Sequence, residues 1–255
     1  MGTYGCDVGK TERQAIMRNI LTMTQRELGA YFLSPIAYAV ATVYLFGTGL
    51  AFGLGTFRNG AESSLRSLFE FWMVLILVFV LPMLTMRLIS EELRSGTIET
   101  LMTVPITETE VVLGKFLGAM VFYLFLLAAL APYPILIAMY GALDGKLLLC
   151  NGLGLLLLGA LYIAVGLFFS ACTKHQIVAV LLSFAVLALA TFATQGLAQL
   201  VEGWPRALLQ QVSVRTHFFD FVRGLVDLNH LVFFVSSIAF FLFLTVKRVE
   251  MRRWR

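Results

Sequence analysis

Charge is what this sequence has least of. Only 13% of its 255 residues are Asp, Glu, Lys or Arg, and 59% are hydrophobic, whereas an ordinary soluble domain carries about 25% charged residues. A chain this poor in charge cannot present a water-facing surface all round. The charge-bearing segments are also too short, at about 30 residues, to bury a core of their own. Cysteine is scarce as well: Cys6, Cys150 and Cys172 are an odd number, so no disulfide framework is implied. No apolar run falls within Met1 to Leu33, so no signal peptide is expected and the N-terminus should stay on the cytoplasmic side.

Catalytic signatures are missing too. The sequence holds no His-Glu-x-x-His pair, no Gly-x-Ser-x-Gly elbow and no acidic pair inside its charge-free runs, which argues against a metalloprotease or another intramembrane enzyme. His175, His217 and His230 are scattered and read as solvated or interface-level side chains. A Gly-x-x-x-x-Gly-Lys-[Ser/Thr] phosphate loop is absent, so any ATP and magnesium must be held by another subunit. No cofactor or metal is expected on this chain, and its net charge of +4 calls for no nucleic acid.

What is present is apolar length. Six stretches lack Lys, Arg, Asp and Glu altogether: Ile36 to Phe57, Phe71 to Met86, Phe116 to Tyr140, Leu147 to Ala171, Ile177 to Val201 and Leu231 to Val246. A helix needs about 20 mostly apolar residues to cross the hydrocarbon layer, and shorter cores are completed by flanking side chains that snorkel. The expected fold is therefore all-α and polytopic, with spans at about 36–57, 69–89, 113–140, 147–171, 177–201 and 230–247. With the N-terminus inside, 13 of the 19 Lys and Arg fall in inner segments and 6 in outer ones. That bias favours both termini in the cytoplasm, with the basic tail after Val246 as a topology anchor.

Between the spans, periodicity suggests further elements. Met17, Ile20, Leu21, Thr24, Leu28, Tyr31 and Phe32 share one helical face and Arg18, Asn19, Thr22, Gln25 and Arg26 another, the pattern of a helix lying in the interface plane. Ser34-Pro35 should end it. Residues 1–16 lack this periodicity and read as an extension to a single membrane domain over 17–255. Gly49-x-x-x-Gly53 offers a close helix contact, to a second subunit or within the chain. Pro132 and Pro134 should kink the third span. Phe218, Phe221, Val222 and Leu225 form an apolar stripe in the polar segment Glu202 to His230, with Asp220, Arg223 and Asp227 on another face, predicting a short outer amphipathic helix. Thr85, Asn151, Ser170, Ser183 and Gln195 are the modest polar groups of the spans and more readily satisfy helix contacts than recognise cargo.

The run EELRSGTIETLMTVPITETEVVLGKFLG, Glu91 to Gly118, packs two helix starts into a short distance. Gly96 and Thr97 can open a short helix through Met102, stopped before Pro105, and Thr107-x-x-Glu110 is a capping box at the start of the third span. Ile98, Leu101 and Met102 would form an apolar stripe beside Glu91, Glu92, Arg94 and Glu99. A solvated loop is the plainer reading of the same spacing.

From Leu84 to Gly118 this chain resembles the segment between the second and third spans of ABC type-2 transporter permeases, most closely those associated with gliding motility and nitrous-oxide-reductase maturation. Lys174 to Ala179 and His217 to Leu228 match the same family, as does the helix ending at Ser34-Pro35. The resemblance implies a permease half in a bacterial inner membrane. It would pair with a second copy or a related permease, and a separate ABC ATPase would dock on the coupling helix Gly96, Thr97, Ile98, Glu99, Leu101 and Met102, flanked by Glu91, Glu92 and Arg94. The function implied is export of a solute. The alternative is an anchor or assembly subunit whose ATPase remodels a cell-envelope machine without moving one.

Overall fold

A spanning segment must satisfy its own backbone hydrogen bonds, because hydrocarbon offers no partner for them. The computed structural model, which describes residues 4–59, 68–96, 107–140, 145–194, 196–197, 211, 213–225 and 227–253, contains no strand among those residues. The chain runs α1 (Tyr4–Phe32), α2 (Pro35–Asn59), a π-helical turn (Leu68–Met73) leading into α3 (Val74–Thr85), and α4 (Ser90–Ser95). It continues through α5 (Glu108–Ala128), α6 (Pro132–Tyr140), α7 (Gly145–Cys172) and α8 (Gln176–Ala188), which a second π turn (Leu189–Ala193) extends. The last helices are α9 (Val214–Val222) and α10 (Leu228–Arg253).

Among the described residues, six helical segments are long and apolar enough to cross a membrane: Pro35–Leu54, Phe71–Ser95, Glu108–Leu136, Gly145–Cys172, Gln176–Ala193 and Leu228–Met251. They alternate in direction. One end of the bundle, here called the foot, gathers the start of α2, the end of the second span, the start of α5 and the end of α7. The opposite end carries α9, the start of α7 and the start of α10. Burial ranks the spans: the chain itself covers 72% of the most apolar window of α7 but only 11% of that of α10. A helix apolar on every side suits a central position, and α7 contacts α3, α5, α8, α9 and α10.

Proline shapes two spans as expected. Ser34 and Pro35 separate α1 from α2, and the third span breaks between Ala128 and Pro132. The second span breaks as well, between Thr85 and Ser90, where buried hydroxyls meet backbone groups freed by the turn: Ser90 Oγ donates to the Met86 carbonyl and the Tyr31 hydroxyl to the Leu84 carbonyl. Ser170 Oγ accepts from the Ile89 and Ser90 amides, each at 3.1 Å, and donates to the Met86 carbonyl at 2.9 Å.

The N-terminal helix is longer than the stretch with apolar periodicity. It begins at Tyr4, so residues 4–16, read as an extension, continue the same helix. It runs lengthwise beside α5 in constant register. Asn19 meets Glu110, a Cβ on Gly114 would stand 2.6 Å from Met23 Cβ, a Cβ on Gly118 would stand 2.8 Å from Glu27 Cβ, and the Tyr31 and Phe122 rings stack at 5.0 Å. Two glycines one turn apart remove the side chains that would hold the helices apart. The face turned to α5 is Met23, Thr24, Glu27 and Tyr31, while Met17 and Leu21 of the apolar stripe stay exposed.

Candidate functional site

Lys115 is the first charge before a long apolar run, and it is 1% exposed. An ammonium this deep costs several kcal/mol unless it is paired. The register of α1 along α5 supplies one partner and α4 the other: Lys115 Nζ lies 2.7 Å from Glu27 Oε1 and 2.8 Å from Glu92 Oε1. Both carboxylates are largely shielded, at 13% and 15% side-chain exposure, and the buried Glu92 Oε2 has no hydrogen-bond partner. One cation thus holds two anions, and through them three elements, at the foot of the bundle.

The capping box forms as the spacing predicted. The Glu110 amide donates to Thr107 Oγ1 and the Thr107 amide donates to Glu110 Oε2, both at 3.3 Å. Glu110 Oε2 also accepts from Asn19 Nδ2 at 3.2 Å, and Thr24 Oγ1 donates to the Gly114 carbonyl at 3.3 Å. These bonds fix the start of α5 to α1 beside the Lys115 triad. On the other flank, a cleft of about 510 Å³ between Thr107, Val112, Leu242, Val246, Lys247 and Glu250 separates the start of α5 from the end of α10.

The residues singled out from the sequence are distributed unevenly. Glu91 and Glu92 occupy the first turn of α4, with Glu91 and Arg94 exposed and Glu92 turned to Lys115. Gly96 closes this helix: its φ of 73° is left-handed, a geometry glycine takes without steric cost. Thr97, Ile98, Glu99, Leu101 and Met102 lie outside the described residues. On α2, a Cβ at Gly49 would meet the Tyr133 hydroxyl at 3.3 Å, and one at Gly53 would meet nothing within 4 Å. Lys115 and Glu27 escaped notice, although Gly114-x-x-x-Gly118 around Lys115 is the same small-residue signal that was read at Gly49.

At the opposite end, α9 is the expected amphipathic helix. Phe218, Phe221 and Val222 are buried, and Phe221 Cβ would lie 2.7 Å from a Cβ on Gly154 of α7. Leu225, assigned to the same stripe, is 61% exposed, because the chain turns at Gly224 with φ 78° and leaves the helical face. Asp220 pairs with His230 Nε2 at 2.9 Å, and His230 Nδ1 meets His217 Nδ1 at 2.6 Å. His217 Nε2 reaches the Gln211 carbonyl at 2.9 Å. A carbonyl only accepts, so His217 Nε2 donates to Gln211, and in the Nδ1–Nδ1 contact one ring donates and the other accepts. Two histidines read as solvated are therefore joined, 13 residues apart, by folding. Burial is the largest influence on His217 and holds its pKa below the usual value, with the neighbouring His230 acting the same way and the Gln211 carbonyl and Asp220 opposing.

A family model described as "ABC-2 family transporter protein" matches residues 13–246. No curated protein matches the chain.

Proposed function

The chain belongs to the ABC-2 family of transporter proteins, a permease component of an ABC transporter, and on that premise we propose that it is the membrane half of an exporter driven by a separate ABC ATPase. The observation that carries this reading is the Glu27–Lys115–Glu92 triad. It joins the N-terminal helix, the short helix that leads into residues 97–106, and the third span. A push on residues 97–102 would reach the third span through α4, Glu92 and Lys115. Interiors this closely packed shift between discrete arrangements rather than deforming smoothly.

In this reading Gly96, Thr97, Ile98, Glu99, Leu101 and Met102 form the element that docks on the ATPase, with ATP and magnesium bound there. Glu91 and Arg94, exposed on α4, flank the contact. The exposed apolar faces of α2 and α10, including Phe46, Leu50, Phe240 and Phe243, are open to lipid and to a second permease subunit, and the foot is cytoplasmic by the distribution of Lys and Arg. The resemblance to the gliding-motility and nitrous-oxide-reductase-maturation permeases points to a bacterial inner membrane. A pathway lined by apolar spans suits an apolar or amphipathic cargo.

The test is a double variant, Ile98→Asp with Leu101→Asp. Buried in a partner cleft, each side chain contributes about 1.5–3 kcal/mol. The variant should insert normally but lose co-purification with the ATPase or the coupling of its turnover. Wild-type association together with wild-type activity would refute the docking assignment. ATP turnover that responds to no solute would favour the anchor reading over export.

A further inference from the structure

A cavity of about 330 Å³ opens beside the triad, where the end of α1 turns into α2 against the end of the second span. Its wall includes Glu27, Tyr31, Leu33, Ser34, Arg87 and Glu91. Glu27 is already matched by Lys115, so the charges left for a ligand are the guanidinium of Arg87 and the carboxylate of Glu91. Ser34 adds a third group: it is only 7% exposed, and its Oγ is buried without a hydrogen-bond partner. A buried hydroxyl without a partner is costly in a native structure and calls for an explanation. Ser34 also precedes α2, whose dipole favours an anion at this place, although Pro35 has no amide proton and the Ala37 amide already donates to the Ser34 carbonyl at 3.1 Å.

The cavity thus offers donors on one side and a carboxylate on the other. A ligand that satisfies both is zwitterionic, with an anion rich in acceptor oxygens and a cation that donates hydrogen bonds. Its surroundings decide between a soluble zwitterion and a lipid. Leu33 is 87% exposed, with Phe32 at 39% and Ile36 at 41% beside it. Leu33 is the apolar side chain at the lip of the cavity, and one so exposed is costly in water and favourable against acyl chains. The depth agrees, since Arg87 is the first charge after the apolar run Phe71 to Met86 and Ser34 stands just before the run Ile36 to Phe57, the level at which headgroups lie.

We propose that this cavity binds the headgroup of a phosphatidylethanolamine-type aminophospholipid, its phosphate held by Arg87 and the Ser34 hydroxyl at the start of α2, and its ammonium by Glu91 with Glu27 behind it. A lipid seated there would bridge α1, α2 and α4 at the point where the triad ties α1 and α4 to α5. Binding needs the chain to sit in a bilayer, and does not need it to export anything, so its failure would leave the transport reading untouched.

The test is retention of lipid by the purified full-length chain in detergent, read by native mass spectrometry after incubation with equimolar phosphatidylethanolamine, phosphatidylcholine and phosphatidylglycerol. Phosphatidylethanolamine should be retained above the other two: phosphatidylglycerol has no cation for Glu91, and the quaternary ammonium of phosphatidylcholine cannot donate. Arg87→Gln and Glu91→Gln should each lower retention by about tenfold, the effect of one charge-assisted hydrogen bond. Ser34→Ala removes a hydroxyl that makes no internal bond, so it should leave thermal stability intact and still lower retention severalfold. Equal retention of the three lipids overturns the proposal, as does wild-type retention in both Ser34→Ala and Arg87→Gln. Displacement of the lipid by an equimolar amount of glycerophosphoethanolamine, which has no acyl chains, would replace the lipid with a soluble zwitterion.

Discussion

Replacing Lys115 by Met removes the one cation that holds Glu27 and Glu92 together, while a side chain of similar length keeps the packing of α5. At the observed 2.7 and 2.8 Å, each carboxylate attracts the ammonium by about 6 kcal/mol gross at an effective dielectric constant near 20. Much of this offsets the desolvation of three ions, and removing one member of a buried pair usually costs about 3–5 kcal/mol net, because the partner is left buried and unpaired. Here two carboxylates are left, but both retain some solvent access, at 13% and 15%. We therefore expect a loss of about 3 kcal/mol, toward the lower end of that range. Adding Glu27→Gln and Glu92→Gln should recover most of it, since a neutral trio needs no counter-charge. The assay is equilibrium unfolding in detergent of the wild type, the single variant and the triple variant, with ATP turnover of each assembled with its ATPase. A loss under about 1 kcal/mol for Lys115→Met would show that the triad does not hold the foot together. A destabilised variant that still couples turnover to transport would leave the triad as structure and refute its role in transmission.

Gly118→Val should separate α1 from α5, because a Cβ there stands 2.8 Å from Glu27 Cβ; overpacking of this kind costs about 1–3 kcal/mol, and faster proteolysis within residues 19–32 would report it. His217 is held neutral in the fold, mainly by burial, so its contribution is fully present above its ordinary value near 6.5 and is lost as pH falls below it. Hydrogen-exchange protection of residues 214–222, taken relative to the intrinsic rate at each pH, should therefore fall on acidification in the wild type and lose that dependence in His217→Gln; an unchanged profile in the variant would refute the assignment. The isolated chain should neither bind nor hydrolyse ATP, and micromolar nucleotide binding by the purified subunit would overturn the division of labour proposed for it.

Much of the architecture was legible because it depends on local chemistry and on composition relative to a bilayer. Pro35 and Pro132 mark real breaks, and Thr107 and Glu110 form their capping box whatever lies beyond them, since both ends of each bond are three residues apart. Local chemistry also has limits. Gly96 ends α4 in a left-handed conformation, a role that the spacing of the sequence does not announce because glycine suits either end of a helix. Leu225 belonged to the apolar stripe of α9 by spacing, until the turn at Gly224 carried it off the helix.

The amino-acid sequence by itself determined that this is an all-helical membrane protein with six apolar spans and an unusual polar segment between the second and third of them. Hydrophobic length and the rarity of charge leave no other way to satisfy the backbone. Only the tertiary structure decided that Lys115, counted in the sequence as one more inner-loop cation, is the buried centre of the foot. Glu27 stands 88 residues before it and Glu92 23 before it, and no periodicity links positions so far apart. Their meeting depends on Gly114 and Gly118 letting α1 approach α5 in one register, and a register between two helices is a property of their packed surfaces rather than of either helix alone.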